Sequence, residues 1–326
     1  MGLFEPQLSR KPNLYPETQR FIDAIWVSHW TPNEFNFKSD YAQFHTELSD
    51  QEKEVVVRAL SAIGQIEIAV KTFWGKLGEN LQHPALSDLG YVMANNEVIH
   101  NQAYEKLLTV LGLEKVFEQN LKEGVIADRV KYLRKYLERA YKDDRKQYIY
   151  AICLFTLFVE NVSLFSQFYT IMYFNRYKNY LKDTAQQIQY TRNEEMLHAQ
   201  VGIYLIGKLR EEYPELFDEE LVALIRKQTL EAYEAECKVI DWILGDFDEP
   251  QLNKEVLKAY ILNRLEDSLK QIGFAGEPLA PIDPEVLSNT IWMDEETLGS
   301  SKSDFFHKKP VDYAKASRVF DEGEIF

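Results

Sequence analysis

Two short stretches of this chain share one spacing, Glu97-Val-Ile-His100 and Glu195-Met-Leu-His198. On an α-helix, residues three positions apart lie on the same face, so each stretch would present a carboxylate and an imidazole side by side. In four-helix bundles that hold two metal ions, two such pairs combine with one inward glutamate from each of two other helices. The stretches therefore predict such a bundle, provided that the chain contains two further helices of this kind.

Two apolar segments elsewhere in the chain each contain one glutamate. Ser49-Asp50-Gln51-Glu52 is a capping box and predicts the start of a long helix. On that helix Glu67 interrupts an apolar stripe that is otherwise made of Leu60, Ile63, Val70, Trp74 and Leu77. The second segment, residues 147–174, is apolar on nearly every side and contains Glu160.

Residues 147–174 admit two interpretations, a membrane span or the central helix of a large bundle. The uninterrupted apolar run covers only about a dozen residues, whereas a span needs roughly twenty. A helix that is hydrophobic all round is also typical of a buried core. We therefore predict a core helix and no membrane segment.

The remaining chain divides into three regions. Residues 1–36 are rich in Pro, Asn and aromatic side chains and predict an irregular arm with a short helix near residues 18–27. Residues 37–298 predict a helical domain of all-α, ferritin-like type, with helices in addition to the four-helix bundle. Residues 299–326 are rich in Ser, Gly and charge, which is typical of a flexible tail.

Composition narrows the functional classes. The net charge of −15 argues against a nucleic-acid-binding surface. Two cysteines without a Cys-x-x-Cys pair fit a reducing cytoplasm without disulfides. We find no basic segment followed by an apolar one near the N-terminus, so we expect no signal peptide. The chain also lacks a glycine-rich phosphate-binding motif, so we do not expect it to bind a nucleotide substrate.

The predicted ligand set has a clear chemical preference. Burying four carboxylates is very unfavourable unless cations balance them, and two divalent ions would do so. Oxygen and imidazole donors without a thiolate suit iron or manganese rather than structural zinc. Any one of these residues alone is more often a surface or ion-paired group, but their combination on four stripes predicts a site built from Glu67, Glu97, His100, Glu160, Glu195 and His198. Asp304-Phe-Phe-His307 has the same spacing but lies in the tail, and we expect it not to bind metal.

At these residues the chain resembles the small, radical-generating β subunit of class I ribonucleotide reductases over nearly its whole length. The resemblance implies the same order of ligands and a radical tyrosine four residues after the first histidine, where Tyr104 stands. It also implies a tryptophan near the site, matched by Trp30 in Trp30-Thr31-Pro32, and an acidic residue that links it to a ligand, matched by Glu194. The alternative interpretations are that Tyr104 is an ordinary core tyrosine, that Trp30 only packs the arm, and that Glu194 is a surface residue.

The resemblance extends to the tail and implies partners. Phe305-Phe306-His307-Lys308-Lys309-Pro310-Val311-Asp312-Tyr313 is similar to the tail of one branch of the family, which makes Tyr313 the candidate radical relay, although it could be an ordinary tail aromatic. Asp321–Phe326 is similar to the peptide that docks into the large (α) subunit. A homodimer is implied as well.

The resemblance leaves the metals open. The tail is similar to a branch that contains manganese, and Lys71, one turn after Glu67, would approach a bound water or an anionic oxidant unless it points outward. These features favour a dimanganese (Mn/Mn) centre, with Fe/Fe and Mn/Fe as alternatives, and an activating flavoprotein as a further partner. Two other functions stay open: a stand-alone di-metal oxidase of the same fold, and a ferritin-type storage bundle.

Overall fold

The computed structural model describes residues 2–293, except for the side chains of residues 67–69. Within this part the regular elements are helices, and a single isolated bridge joins Glu249 and Leu252. The all-α prediction is therefore confirmed. The predictions for Asp304–His307, Tyr313 and Asp321–Phe326 lie outside the described residues.

Thirteen α-helices follow one another in the described chain. They are α1 Glu17–Ser28, α2 Lys38–Thr46, α3 Asp50–Gly75, α4 Leu77–Asn80, α5 Pro84–Leu111, α6 Glu114–Asn120, α7 Gly124–Leu133, α8 Asp144–Leu154, α9 Phe165–Lys178, α10 Lys182–Glu212, α11 Glu219–Leu244, α12 Lys254–Gln271 and α13 Pro284–Ser288. Short 3₁₀ turns cover Pro32–Glu34, Arg134–Leu137 and Pro214–Leu216.

The helix starts follow from local sequence. The Ser49 hydroxyl accepts a hydrogen bond from the Glu52 backbone N–H, and the Glu52 carboxylate accepts one from the Ser49 N–H at 2.9 Å, so the predicted capping box is present. Helix α5 starts with Pro84 in its first turn, where a missing N–H costs nothing, and ends at Gly112 with a positive φ of 71°. These caps fix the ends of two of the helices that carry predicted ligands.

The apolar segment is a core element, as predicted. The helical stretch Asp144–Lys178 is long and apolar enough to cross a membrane by length and composition, but 89% of its most apolar window is buried inside the protein. It differs from the prediction in not being one continuous helix. A π-helical turn, Phe155–Glu160, follows α8, and residues 161–164 form a turn before α9 begins. The π-helical turn ends at the predicted ligand Glu160.

Two other segments complete the described fold. Helix α7 ends at Leu133 and continues only as a 3₁₀ turn to Leu137. The N-terminal arm is attached to the far end of α10: the Leu3 backbone N–H and the Tyr15 hydroxyl donate to the two carboxylate oxygens of Glu212, at 2.6 and 2.9 Å. Trp30 of the arm is fully buried. The arm therefore packs against the bundle as part of its core.

Candidate metal centre

Three elements bring five of the six predicted ligands together. Helix α5 supplies Glu97 and His100, helix α10 supplies Glu195 and His198, and the π-helical turn supplies Glu160. Each of these residues is at most 1% exposed. The three-residue spacing on α5 and α10 places carboxylate and imidazole on the inner face of each helix, as the sequence predicts.

Glu97 lies between the two histidines. Its Oε1 is 2.9 Å from His198 Nδ1, and its Oε2 is 3.3 Å from His100 Nδ1. Glu195 makes a similar connection, with Oε1 3.1 Å from His100 Nδ1 and Oε2 3.8 Å from His198 Nδ1. Glu160 Oε2 is 3.4 Å from His198 Nδ1. Two carboxylates that each reach both histidines have the arrangement needed to bridge two cations.

The ligand atoms converge closely enough for an ion. One donor atom from each of Glu97, Glu160, Glu195 and His198 lies within 4.8 Å of the others. His100 completes the group through its contacts with Glu97 and Glu195. The sixth predicted ligand, Glu67, belongs to α3, but its side chain lies outside the described residues. Lys71, one turn later on α3, is half-buried.

The described cluster contains more carboxylates than imidazoles, and this excess shifts the pKa values of its members. Burial and the neighbouring Glu195 raise the pKa of Glu160 well above its usual range. Burial lowers the pKa of His198, but Glu97, Glu160 and Glu195 outweigh it and raise that pKa well above its ordinary value. Burial likewise opposes ionisation of Glu195, yet the neighbouring imidazoles of His100 and His198 lower its pKa. Without other cations, protons on the histidines would have to balance the carboxylates.

The residues fit a pair of divalent cations. Among the described side chains, several buried donor atoms of this cluster have no hydrogen-bond partner: both oxygens of Glu97, Glu160 Oε2, Glu195 Oε1 and both ring nitrogens of His198. Buried polar atoms normally have partners, so a convergent group without them indicates a ligand. Carboxylate and imidazole donors without thiolates suit iron or manganese.

A hydrogen-bonded chain leads from the cluster toward the arm. With Nδ1 of His100 facing the carboxylates, its Nε2–H donates to Glu194 Oε2 at 2.7 Å. The same oxygen accepts the indole N–H of Trp30 at 2.9 Å. Such outer partners orient a ligating histidine and raise its basicity. The structure thus brings together Trp30, Glu194 and His100, which in the sequence are connected only through the family resemblance.

Tyr104 lies one turn after His100 on α5 and is 2% exposed. Its position on the inner face of α5 agrees with the predicted stripe. The buried setting suits a tyrosine that must be shielded from water.

Sequence reasoning missed Trp74 as a residue of the site. Its indole N–H donates to Glu160 Oε1 at 2.6 Å, and both side chains are fully buried. In the sequence, Trp74 shares the apolar stripe of Glu67, a pattern that predicts only a packing role for it. Its spacing of seven residues from Glu67 was the available signal, since that spacing keeps two residues on one helix face.

Comparison with known proteins identifies the family. The family model described as ribonucleotide reductase, small chain, matches residues 9–277, and the chain belongs to this family, an oxidoreductase family. It is 26% identical over 305 residues to a ribonucleoside-diphosphate reductase subunit beta from Halalkalibacterium halodurans, covering 91% of this chain and 86% of that protein. The corresponding subunit of Treponema pallidum is 25% identical over 318 residues, covering 94% and 88%.

Solved structures confirm the ferritin-like fold. A putative class I ribonucleotide reductase from Bacillus halodurans superposes with a TM-score of 0.76 at 22% identity, covering 86% of this chain and 99% of that one. An R2-like ligand-binding oxidase with an Mn/Fe cofactor superposes with a TM-score of 0.67 at 21% identity, covering 81% and 96%. At these identities the two structures show a shared fold.

Proposed function

We propose that this member of the ribonucleotide reductase small-chain family is the radical-generating β subunit of a ribonucleoside-diphosphate reductase. It would start long-range radical transfer to the catalytic cysteine of a large subunit, which makes deoxyribonucleotides. The observation that carries the proposal is the convergence of Glu97, His100, Glu160, Glu195 and His198 on one buried volume between helices. Glu67 is the proposed sixth ligand.

The residues of the chain have distinct proposed roles. His100 and His198 would hold one cation each through Nδ1, and Glu97 and Glu195 would bridge the two cations. When bound, the two metal ions supply the one-electron oxidising chemistry that the side chains themselves lack. The buried helices around the cluster exclude water, which would otherwise quench a radical.

Trp30, Glu194 and His100 support a path for the radical out of the bundle. Their hydrogen bonds of 2.9 and 2.7 Å connect the arm to a ligand, and the Trp30 and His100 rings lie stacked with centroids 6.2 Å apart. In the proposal, oxidised Trp30 passes its Nε1 proton to the Glu194 carboxylate. An electron from Tyr313 of the tail and the return of that proton from Glu194 then restore Trp30, while the Tyr313 phenol releases its own proton to solvent. Tyr104 is the proposed resting place of the radical if the metals do not keep the oxidising equivalent.

The metal pair remains a prediction from the sequence. Mn/Mn is the proposed pair because of the tail resemblance and Lys71, and Fe/Fe and Mn/Fe are the pairs against which it must be tested. Lys71 on α3 is proposed to approach a metal-bound water or an anionic oxidant. The oxidase neighbour with an Mn/Fe cofactor shares the fold of this chain.

Three partners belong to the proposal: the large subunit, a second copy of the chain, and an activating flavoprotein. The large subunit would bind Asp321–Phe326. The second copy is supported by apolar side chains that are exposed on α1 and α5, Trp26, Val27, Tyr91 and Val98. A cytoplasmic location is proposed on the grounds of cysteine use.

Deleting Asp321–Phe326 tests this function. We expect the shortened chain to keep its metals and its radical signal but to lose ribonucleotide reduction with the large subunit, because the docking peptide is gone. Loss of metal binding in the same variant would contradict a role for the peptide in docking alone. The second candidate, a stand-alone oxidase of this fold, predicts that deletion leaves turnover unchanged, and R2-like oxidases make it the rival because they share the fold.

A further inference from the structure

Two tryptophans donate their indole N–H to buried carboxylates around the metal centre. One of these carboxylates belongs to a proposed ligand, whereas the other only contacts a ligand. Trp30 reaches Glu194, which contacts a ligand through His100 Nε2. Trp74 reaches the ligand Glu160 itself, with Nε1 2.6 Å from Oε1. The role proposed above for Trp30 involves radical transfer, whereas Trp74 has no role in it.

The two oxygens of Glu160 have different surroundings. Oε1 accepts the hydrogen bond of Trp74, whereas Oε2 lies 3.4 Å from His198 Nδ1 and has no hydrogen-bond partner among the described residues. Only Oε2 is therefore directed at the position where the other ligand atoms converge. A carboxylate whose second oxygen is already bound to a strong donor is disposed to give a metal one oxygen rather than two.

The indole of Trp74 is held firmly in this orientation. Its ring meets Phe155, the first residue of the π-helical turn, edge to face with centroids 5.5 Å apart, and Phe155 stacks on Phe73 at 3.7 Å. Its backbone carbonyl lies so close to α5 that a Cβ on Gly90 would come within 2.5 Å of it. Helices α3 and α5 and the π-helical turn therefore meet at Trp74.

The π-helical turn makes such a constraint necessary. It carries one residue more per turn than an α-helix, and it directs Glu160 inward from its last position. A side chain at the end of an irregular turn can swing between one-oxygen and two-oxygen contact with a metal. The Trp74 N–H occupies Oε1 and thereby disfavours the two-oxygen contact.

We propose that Trp74 is a positioning residue that keeps Glu160 a one-oxygen ligand of the metal centre. Its indole N–H holds Oε1 and leaves Oε2 for the ion nearest His198. This inference rests on the proposed function, because it requires that the cluster binds two metal ions. Trp74 would act only through Glu160 and would not touch the metals.

Titration of the metal-free protein with Mn(II), following free Mn(II) by its EPR signal, tests the inference without relying on turnover. Trp74→Phe keeps an aromatic ring and removes the N–H. We expect one of the two ions to bind about 10- to 100-fold more weakly, which is the usual consequence of losing an outer partner of a ligand. The second ion should bind nearly as in the unchanged protein.

Trp292→Phe is the matched control. The indole N–H of Trp292 donates to the Tyr169 hydroxyl at 2.9 Å in a buried setting away from the ligand residues, so this variant loses the same kind of hydrogen bond. It should bind both ions normally. If Trp74→Phe binds Mn(II) as Trp292→Phe does, Trp74 is only a packing residue. If the unchanged protein fails to bind two ions, the proposed function fails instead.

A crystal structure of the unchanged protein loaded with Mn(II) provides a test that needs no variant. We expect Glu160 to contact one ion through Oε2 alone while Oε1 keeps the Trp74 hydrogen bond. Both Glu160 oxygens on the ion, with the indole N–H bonded elsewhere, would overturn the inference even if Trp74→Phe failed to fold.

Discussion

Two clusters of buried carboxylates in the described chain are neutralised differently. Between α7 and α11, Glu236 pairs with Arg129 at 3.1 Å and accepts a hydrogen bond from Tyr132. In the metal centre, the ion-pair partners of Glu97, Glu160 and Glu195 among the described side chains are two histidines. The first cluster contains a permanent cation, Arg129. The metal centre has more carboxylates than its two histidines can neutralise.

The Arg129 cluster connects helices. The guanidinium donates to the Ala62 carbonyl of α3 at 3.0 Å and to Gln167 Oε1 of α9 at 3.2 Å, and it also donates to the Ser163 carbonyl in the turn after the π-helical segment. It thus satisfies backbone groups where the long apolar helix is interrupted. A buried arginine with this many partners is a structural element.

The difference teaches how to separate a binding site from an internal ion pair. Buried charge that is paired within the protein holds the fold together, and removing one partner leaves an uncompensated charge. Buried carboxylates that converge without matching cations oppose folding until ions arrive. The two clusters should therefore respond in opposite ways to the same substitution and to added metal.

The largest expected effect is that of the metal itself. Mn(II) at about 1,000 times its dissociation constant should raise the free energy of unfolding by about 4 kcal/mol for each ion, because it binds the folded state alone. Urea unfolding with Mn(II) and with a chelator measures this gain. Chelation that leaves the unfolding midpoint unchanged would show that the carboxylate cluster does not need cations.

Glu236→Gln should lower the free energy of unfolding by about 3–5 kcal/mol, because the Arg129 guanidinium stays buried without its counterion. Urea unfolding of the metal-free protein measures the loss. The gain from Mn(II) should be the same in this variant as in the unchanged protein. A stability loss that metal addition cancels would mean that the two clusters are not independent.

Glu160→Gln is the same substitution in the metal centre. Its effect on the free energy of unfolding should be the smallest of the three and opposite in sign to that of Glu236→Gln. Unlike Glu236, Glu160 pairs with no arginine or lysine among the described side chains. Burial and the neighbouring Glu195 raise its pKa, so holding this carboxyl in the metal-free protein costs free energy that an amide would not. We expect urea unfolding to show a gain in stability for the metal-free protein. A loss comparable with that of Glu236→Gln would contradict the contrast between the clusters.

Much of this arrangement follows from sequence because helix periodicity is local. The spacing of Glu97 and His100, and of Glu195 and His198, fixes their common face whatever the rest of the chain does. The capping box at Ser49 and the proline at residue 84 likewise act within one turn of their own helices.

The features that sequence reasoning missed depend on distant contacts. Nothing in the apolar pattern of residues 147–174 shows that Phe155–Glu160 gains a residue per turn, because every face of that segment is buried. The Trp74 hydrogen bond joins residues 86 positions apart and exists only once α3 has packed against that turn. Arg129 is fully buried against α3, α9 and α11, and only the packing of these helices shows that it is a core residue.

Low-temperature EPR of the protein loaded with two equivalents of Mn(II), with metal content determined on the same sample, tests the central claim most directly. Two ions joined by Glu97 and Glu195 should be magnetically coupled and give a broad multiline spectrum, and Glu97→Ala should abolish it. Only the six-line signal of isolated Mn(II), or fewer than two ions bound per chain, would contradict a di-metal centre at these residues.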